Sequence, residues 1–515
     1  MNTSDSLGVA ILDKSHVQMP LSLAPLKFVP SNFSFASVGG PERAEIDVFS
    51  SSPDALYQLF NVLRNPVEIF SATQLPLWWG FIESVRVQTG SIETEVSLAE
   101  MANRICALYS TSLGGTLSSR ATTAWASSTE SVNTYGTKEL RISISEGSQD
   151  QAERSRDSEL ALRKYPISVG SISSTGTVSA TITCKGWWDT LKWKYYSQNS
   201  GVEQFDVTGV GVQEVGKTSG DERVRQGITI SSSVAWVANE IQLKVRKQGA
   251  PTDNLRVELQ NSSGTMLAYC EVTGPSMLGT YEYVPFVLST PITVTPTTQY
   301  IIQVSRTSSV DSNNHYMTDI NTEEVYTGGV FQLWNGSSWV ARSPDGDMVF
   351  RLVGARETTL QVSDIITSCG QFFPTVKILT PSGVYSNPWR DGDNSGLSEI
   401  TELLRAGAAG GPRYLATVLK DRTLVVYLEP TDVDYLIDSS GNLYTPEGKT
   451  PIPRTTNIAG KWLRRLDIPN VNISRISDPR LMFIEKYEWQ SRGRNPRLEP
   501  RGALDVWNPN GIREG

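Results

Sequence analysis

Alternating apolar and polar residues mark several strands in the first quarter of the chain. Ala44–Val48 and Ile92–Val96 alternate, which indicates strands with one buried face. Between them, Trp79–Val87 begins as an apolar run and becomes amphipathic towards its end. Residues 30–110 therefore predict four or five strands that form a small barrel or a strongly bent sheet.

Two short helices are predicted in the same region. Ser52–Pro53 combines a capping side chain with a proline at the first helical position. Ser97 and Glu100 have the spacing of a capping box, in which each side chain accepts from the other residue's backbone amide. The apolar residues that would form one face of this second helix are Leu98, Met101, Ala102 and Ile105.

The pattern changes near residue 205. From Phe205 to Gly354, seven or more short strands alternate with turn signals, which is typical of an antiparallel β-sandwich, here expected to be jelly-roll-like. The clearest hairpin is Phe331–Trp339, with a turn signal at Asn335–Gly336. Since the earlier style of sequence returns after Gly354, the sandwich is interpreted as an insertion in a discontinuous domain.

The expected fold is therefore mainly β, with a few short helices. The predicted domains are a first barrel over residues 1–115, a second, discontinuous barrel or connector over 116–204 and 355–450, the sandwich over 205–354, and a basic C-terminal extension over 451–515. In the extension, 12 Lys and Arg residues stand against 7 Asp and Glu residues, so docking on an acidic neighbour is one interpretation and a solvated surface is the other.

The composition argues against several classes of protein. The formal net charge of −8 over 515 residues argues against general nucleic-acid binding. The N-terminus has no basic stretch followed by an apolar core, so no secretion signal is expected, and no membrane span or cofactor is expected either. The four cysteines never form a CxxC pair, which makes a metal site unexpected; buried free thiols are favoured, with disulfides left open.

Motifs for catalysis are lacking in the sequence. His16 and His315 are the two histidines, and neither stands in a context that suggests a catalytic triad. HExxH and GxSxG motifs do not occur. The chain is therefore expected not to be an enzyme and to have no catalytic residues, although a glycosidase-type pair of carboxylates remains open.

The sandwich offers the better case for ligand binding. Aromatic rings stack on sugars, and Asp and Asn side chains exchange hydrogen bonds with hydroxyl groups. The alternative is that Trp334 and Trp339 pair across their hairpin and only stabilise it. Asp345 and Asp347 could supply oxygen ligands to Ca²⁺, or could simply form a tight turn. The candidate carbohydrate-binding residues are Tyr316, Tyr326, Trp334, Trp339, Asp311, Asn313 and Asn314.

Residues 77–109 resemble the first barrel of phage tail hub proteins. That family carries a Trp-x-Gly strand, a returning strand and a Ser-Leu-x-x-Met/Leu-x-Asn-Arg helix followed by a tyrosine. The corresponding stretches here are Trp78–Ile82, Ser97–Arg104 and Tyr109. The similarity extends over about residues 30–200 and 355–450. The segment 224–353 is similar, more generally, to carbohydrate-binding sandwich modules of phage tails.

The resemblance implies a structural virion protein. It would form a ring in the tail tip or baseplate, with trimers favoured, between the tail tube, the distal tail and the tip proteins. DNA would pass through its lumen without specific binding, and the sandwich would project outward to a host glycan or a neighbouring protein. Assembly would take place in the host cytoplasm. The alternatives are a tail-borne polysaccharide or cell-wall hydrolase and a carbohydrate-binding adhesin.

Overall fold

The computed structural model is mainly β, as the sequence predicts. It describes residues 7–15, 17, 26–111, 119–144, 147–172, 178–206, 211–323, 326–342, 346–409, 411, 413–430, 432–448, 450–453, 455–467, 481–491 and 497–500. No helix in this described part is long and apolar enough to cross a membrane. The α-helices are α1 (Pro53–Tyr57), α2 (Thr129–Tyr135), α3 (Gln149–Arg163), α4 (Thr358–Cys369) and α5 (Gly396–Ala406), and 3₁₀ turns cover Gln58–Val62, Trp187–Trp193 and Gly274–Ser276.

The strands follow in chain order. The first group is β1 (Gly8–Ile11), β2 (Lys27–Ala36), β3 (Val38–Phe49), β4 (Pro66–Phe70), β5 (Pro76–Thr89), β6 (Ile92–Ser97), β7 (Arg104–Thr111), β8 (Ser119–Thr122), β9 (Ala126–Ser127), β10 (Glu139–Ile144), β11 (Ile167–Ile172) and β12 (Val178–Lys185). The second group is β13 (Tyr195–Gln198), β14 (Val202–Phe205), β15 (Gly211–Val215), β16 (Arg223–Thr229), β17 (Trp236–Gln248), β18 (Asn254–Asn261), β19 (Met266–Thr273), β20 (Glu282–Val294), β21 (Gln299–Arg306), β22 (His315–Asn321), β23 (Phe331–Trp334), β24 (Trp339–Ala341), β25 (Asp347–Met348) and β26 (Phe350–Glu357). The third group is β27 (Val376–Ile378), β28 (Tyr385–Ser386), β29 (Arg390–Ser395), β30 (Tyr414–Val418), β31 (Leu424–Leu428), β32 (Tyr435–Ile437), β33 (Leu443–Tyr444), β34 (Pro451–Ile452), β35 (Trp462–Arg465), β36 (Leu481–Gln490) and β37 (Arg497–Pro500).

The chain divides into two compact units. The first, called the scaffold unit, comprises Met1–Tyr195, Val362–Ser382 and Asn394–Gly515. The second, called the sandwich unit, comprises Tyr196–Gln361 and Gly383–Asp393. The scaffold unit is thus discontinuous in sequence. The finer division of the scaffold into separate barrels over 1–115 and over 116–204 with 355–450 stays a prediction.

The scaffold unit is built around a sheet that curls into a half-barrel. The long strand β5 pairs with β12 along one edge and with β4 and then β6 along the other, and β12 also pairs with β3. Large apolar side chains on these strands and on β2 are fully buried. They include Phe33, Ile46, Trp78, Phe81 and Ile182, each with 0% exposure. Burial of such rings and branched chains is the main favourable contribution to the stability of this unit.

The predicted helix after β6 is wrong. β6 runs through Ser97, a turn follows, and β7 begins at Arg104. Ser97 does accept a hydrogen bond, but from the backbone of Ala99 rather than that of Glu100. Leu98, Met101 and Ala102 are buried without a helix, because neighbouring segments satisfy the backbone here; Ala102 N donates to Arg163 O at 2.9 Å. Tertiary packing therefore overrides the local helix pattern.

The sandwich unit consists of two antiparallel sheets around one apolar core. The larger sheet has the order β14-β26-β17-β22-β15, with β20, β25 and β28 added on β17, β22 and β26. The other sheet has six strands in the order β19-β18-β21-β16-β23-β24. Val224 and Ile228 of β16 point into the core with 0% exposure, so Arg223 and Arg225 lie on the outer face of the six-stranded sheet.

Candidate functional site

The sequence-predicted glycan residues fall into three separate places in the sandwich unit. Asp311, Asn313, Asn314 and Tyr316 form one group around the buried ion pair Arg306–Asp253. Asp311 Oδ1 accepts the backbone amides of Asn313 and Asn314, and the Asn314 side chain accepts from Ala250 N at 2.8 Å. These polar groups therefore shape a loop and are engaged within the chain.

Tyr316 and Tyr326 belong to the interior. Tyr316 has 0% exposure, and its hydroxyl donates to Asp253 O at 2.6 Å. The Tyr326 hydroxyl donates to Glu203 Oε1 at 2.9 Å, and its ring packs edge-on against Phe350. Burial first, then the neighbouring carboxylates, raise the pKa of both tyrosines, so both hydroxyls stay protonated at neutral pH. The Tyr316 ring is therefore closed to a sugar, and the partly buried Tyr326 ring packs against the core of the sandwich unit.

Asp347 is likewise occupied. Its Oδ1 accepts from Gln226 Nε2 and its Oδ2 accepts from Tyr326 N, both at 2.9 Å. The side chain is 4% exposed, so these bonds tie β16 to the segment before β26 inside the unit. Asp345, the second predicted Ca²⁺ ligand, lies outside the described residues. Among the residues that are described, no group of three or more His, Cys, Asp or Glu side chains could hold a metal ion.

Trp334 and Trp339 are brought together on the outer face of the six-stranded sheet. They are paired residues of the hairpin β23–β24, with ring centroids 5.5 Å apart in a T-shaped arrangement. The guanidinium of Arg223 lies 4.3 Å from the Trp334 ring, and that of Arg225 lies 4.2 Å from the Trp339 ring. The hairpin thus builds a ladder of alternating indole and guanidinium planes on an accessible face.

A row of polar side chains continues from this ladder across the sheet. Register places the five residues directly beside one another on neighbouring strands: Tyr269, Glu258, Gln303, Arg225 and Gln332. Arg225 Nε donates to Gln332 Oε1 at 2.8 Å, and Gln303 Nε2 donates to Glu258 Oε2 at 3.5 Å. We call this surface, together with Arg223, Trp334 and Trp339, the polar face.

The opposite end of the polar face is internally paired. Arg256 contacts Glu258 at 2.8 Å and Glu271 at 3.4 Å, and its guanidinium lies 4.3 Å from the Tyr269 ring. The polar face therefore carries amide, carboxylate, guanidinium and aromatic groups in fixed positions. These are the groups that recognise hydroxyl-rich ligands on sheet surfaces.

Sequence reasoning identified the two tryptophans but missed most of the polar face. Arg223, Arg225, Glu258, Gln303 and Gln332 come from four strands that are far apart in sequence. The alternation around Val224 does indicate that Arg223 and Arg225 share one side of a strand. The order of strands, which makes these residues neighbours, is not a local property of the sequence.

The scaffold unit contains a cleft of about 420 Å³ beside Gly39, Trp188 and the end of α5. Most of its charged side chains are paired: Arg413 contacts Glu429 at 2.9 Å and Glu485 at 2.5 Å. Lys486 contacts Glu42 at 2.9 Å. Because these charges already satisfy one another, the cleft is assigned no ligand.

Comparisons with known proteins add little to this geometry. No family model matches the sequence, and no curated protein matches it. Among solved structures, the mosquito-larvicidal Cry4Aa toxin of Bacillus thuringiensis aligns over 61% of this chain and 57% of the toxin, with 8% identity and a TM-score of 0.17. The VP2 subviral particle of infectious bursal disease virus aligns over 71% of this chain and 88% of VP2, with 10% identity and a TM-score of 0.17.

A third aligned structure is a glycoside hydrolase family 43 arabinoxylan arabinofuranohydrolase from Bacillus subtilis. It matches over 57% of this chain and 64% of the enzyme, with 9% identity and a TM-score of 0.12. The chain spans a little over half the length of the toxin. TM-scores of this size carry no argument about fold or function, so the function is argued from the polar face and the sequence.

Proposed function

We propose that this chain is a structural component of a phage tail tip or baseplate, whose sandwich unit binds glycan through the polar face. The observation that carries the binding half is the cross-strand row Tyr269–Glu258–Gln303–Arg225–Gln332, which ends at a tryptophan hairpin. Amide and carboxylate groups at this spacing of about 5 Å per strand can hydrogen-bond successive hydroxyls of a saccharide laid across the strands.

The scaffold half of the proposal rests on the resemblance of residues 30–200 and 355–450 to tail hub proteins. A discontinuous scaffold interrupted by a sandwich supports it, since an insertion can contact a host or a neighbouring protein while the scaffold maintains its own contacts. In this proposal the scaffold assembles as a ring, with a trimer favoured, among tail tube, distal tail and tip proteins. The chain is a virion protein and not an enzyme.

We expect particles purified from cells that make this chain to carry it at the distal end of the tail. Electron microscopy with a gold-conjugated antibody against the chain checks this, and the same antibody on a fractionated lysate tests for free protein. Label on the capsid, or purified particles without label, would contradict the hub assignment. Clearing of host envelope by the purified chain in a zymogram would contradict the statement that it is not an enzyme.

The glycan-binding half predicts that the double variant Trp334→Ala/Trp339→Ala binds at least about tenfold more weakly than the wild type, because the rings that hold Arg223 and Arg225 in place are lost. Binding of the full chain to immobilised host-surface polysaccharide measures this. Trp389→Ala is the matched control, since Trp389 is an exposed tryptophan of the same unit outside the six-stranded sheet. Equal binding by the double variant and the control would remove the polar face from the proposal.

A further inference from the structure

Two arginines on the polar face stand on the same side of one strand. Val224 lies between Arg223 and Arg225 and points into the core, so both guanidiniums emerge on the outer face. Arg223 lies 4.3 Å from the Trp334 ring and 5.9 Å from the Trp339 ring, and Arg225 lies 4.2 Å from the Trp339 ring. The indoles hold the two guanidiniums in a fixed relation to each other.

Neither arginine has an acidic partner in the part of the chain that the structure describes. This differs from Arg256 on the same face, which contacts two glutamates. The Nε of Arg223 is buried and has no hydrogen-bond partner among the described residues. Loss of water contact alone lowers the pKa of Arg225, with no carboxylate to oppose the shift. Two cations are thus partly desolvated without a compensating anion. This arrangement favours the binding of an anionic group.

The ladder also changes how the tryptophans can act. A guanidinium already covers a face of each indole, so those faces are closed to a sugar ring. Arg225 Nε donates to Gln332 Oε1 at 2.8 Å, which leaves the two terminal nitrogens of Arg225 to a ligand. A planar guanidinium presents paired N–H groups that match the two oxygens of a carboxylate. The exposed edges of this ladder are therefore suited to a negatively charged group.

Glu258 limits how much negative charge the ligand can carry. It lies two strands from Arg225, at about 10 Å across the sheet. A carboxylate placed on the arginines is attracted, whereas one placed over Glu258 is repelled. The row thus favours a saccharide in which one acidic residue is flanked by neutral, hydroxyl-bearing ones.

We propose that the polar face recognises acidic saccharides, binding a uronic-acid or sialic-acid carboxylate at the edges of Arg223 and Arg225 and a neutral sugar hydroxyl at Gln332. The proposal rests on the glycan-binding function proposed above and names its ligand class. The carboxylate accepts hydrogen bonds from the exposed edges of both guanidiniums, and the Gln332 amide donates to a hydroxyl.

The test is a binding measurement on the full chain with an array of paired ligands. The acidic members are hyaluronan and sialylated oligosaccharides, in which neutral sugars stand next to the acidic one, and each is paired with its carboxyl-reduced form. We expect at least one acidic ligand to bind roughly tenfold or more tightly than its reduced partner, and increasing salt to weaken that binding. Equal affinity within every pair that binds would overturn the acidic preference while leaving glycan binding in place. Failure to bind any ligand of the array overturns both proposals.

Two variants test whether Arg223 and Arg225 cause the preference for the acidic ligand. Arg223→Gln/Arg225→Gln is expected to lose about tenfold or more of the affinity for the acidic ligand and to leave that for the reduced form within about twofold. Arg246→Gln is the matched control, because Arg246 also lies over an aromatic ring, Tyr281 at 5.0 Å, but on the other sheet. Equal losses in the double variant and the control would overturn the assignment. If the double variant does not fold, the salt dependence and the paired ligands still decide with wild-type protein.

Discussion

Gly80→Ala is expected to destabilise the scaffold unit by about 3 kcal/mol or more. A Cβ on Gly80 would lie 2.1 Å from the carbonyl oxygen of Lys185 and 2.5 Å from Cη2 of Trp78. The first contact is with the backbone of β12, which pairs with β5, so relief requires the two strands to separate. Overpacking against well-packed neighbours typically costs 1–3 kcal/mol, and a contact with backbone this close exceeds that range.

Hydrogen exchange with mass spectrometry on the full chain in a urea series measures this effect. Peptides from β5 and β12 of Gly80→Ala should become exchangeable at a clearly lower urea concentration than in the wild type. Gly170→Ala is the matched control, since Gly170 lies in β11 of the same sheet and its Cβ would meet only Glu93 O at 3.9 Å. Equal shifts in both variants would show that loss of glycine flexibility, and not the Lys185 contact, determines the result.

Close strand packing explains why a glycine follows the two tryptophans in the Trp78–Gly80 stretch. Trp78 is fully buried and donates from Nε1 to Ser34 O at 3.2 Å, whereas Trp79 donates to Val418 O at 2.9 Å. The missing side chain at Gly80 leaves room for the Lys185 carbonyl of β12 and for the ring of Trp78. The resemblance to hub proteins is therefore based on residues that pack strands closely. Such residues define a scaffold and do not by themselves define an activity.

Local pattern was sufficient for strands but not for every helix. Alternation predicted β3, an apolar run that becomes amphipathic predicted β5, and the turn signal at Asn335–Gly336 predicted the β23–β24 hairpin. The Ser97–Glu100 capping box failed because β6 continues through Ser97 and pairs with β5 and β11. A turn and a first helical turn share the same short polar signals, so only tertiary context separates them.

The sequence predicted the tryptophan pair of the candidate site but not the role of the polar residues near Arg306. Trp334 and Trp339 lie five positions apart across a turn signal, and they meet on one face because the turn makes them register partners. Asp311, Asn314 and Tyr316 have the composition of a sugar site, but the structure uses them to hold a loop around Arg306. Polar residues near aromatic ones in sequence can serve either purpose, and the distinction depends on which distant strand supplies a partner.

Asp253→Asn is expected to destabilise the sandwich unit by about 3–5 kcal/mol. Asp253 and Arg306 form a two-pronged ion pair, with Nε and Nη2 both 2.9 Å from the carboxylate oxygens and with side chains only 9% and 5% exposed. Arg306 also donates to Gly216 O and Asn314 O, so it cannot move into solvent without breaking the loop. Removing the negative charge leaves a buried cation without its counter-ion, which is the costly way to break such a pair.

The pH dependence separates this charge effect from a packing effect. Burial alone would raise the pKa of Asp253, but the hydrogen bonds and charge of Arg306 outweigh it and hold the pKa below its usual value. The stability that this carboxylate contributes is therefore present above about pH 4 and is lost as the pH falls through its lowered pKa. In urea unfolding followed by hydrogen exchange of β18 and β21, the difference in free energy of unfolding between wild type and Asp253→Asn should be largest near neutrality and shrink in acid.

The control is the same substitution at Asp150, whose ion pair with Arg154 is exposed on α3. It should cost less than about 1 kcal/mol of unfolding free energy. A difference at Asp253 that does not change with pH would mean that the shape of the side chain, and not its charge, holds the loop.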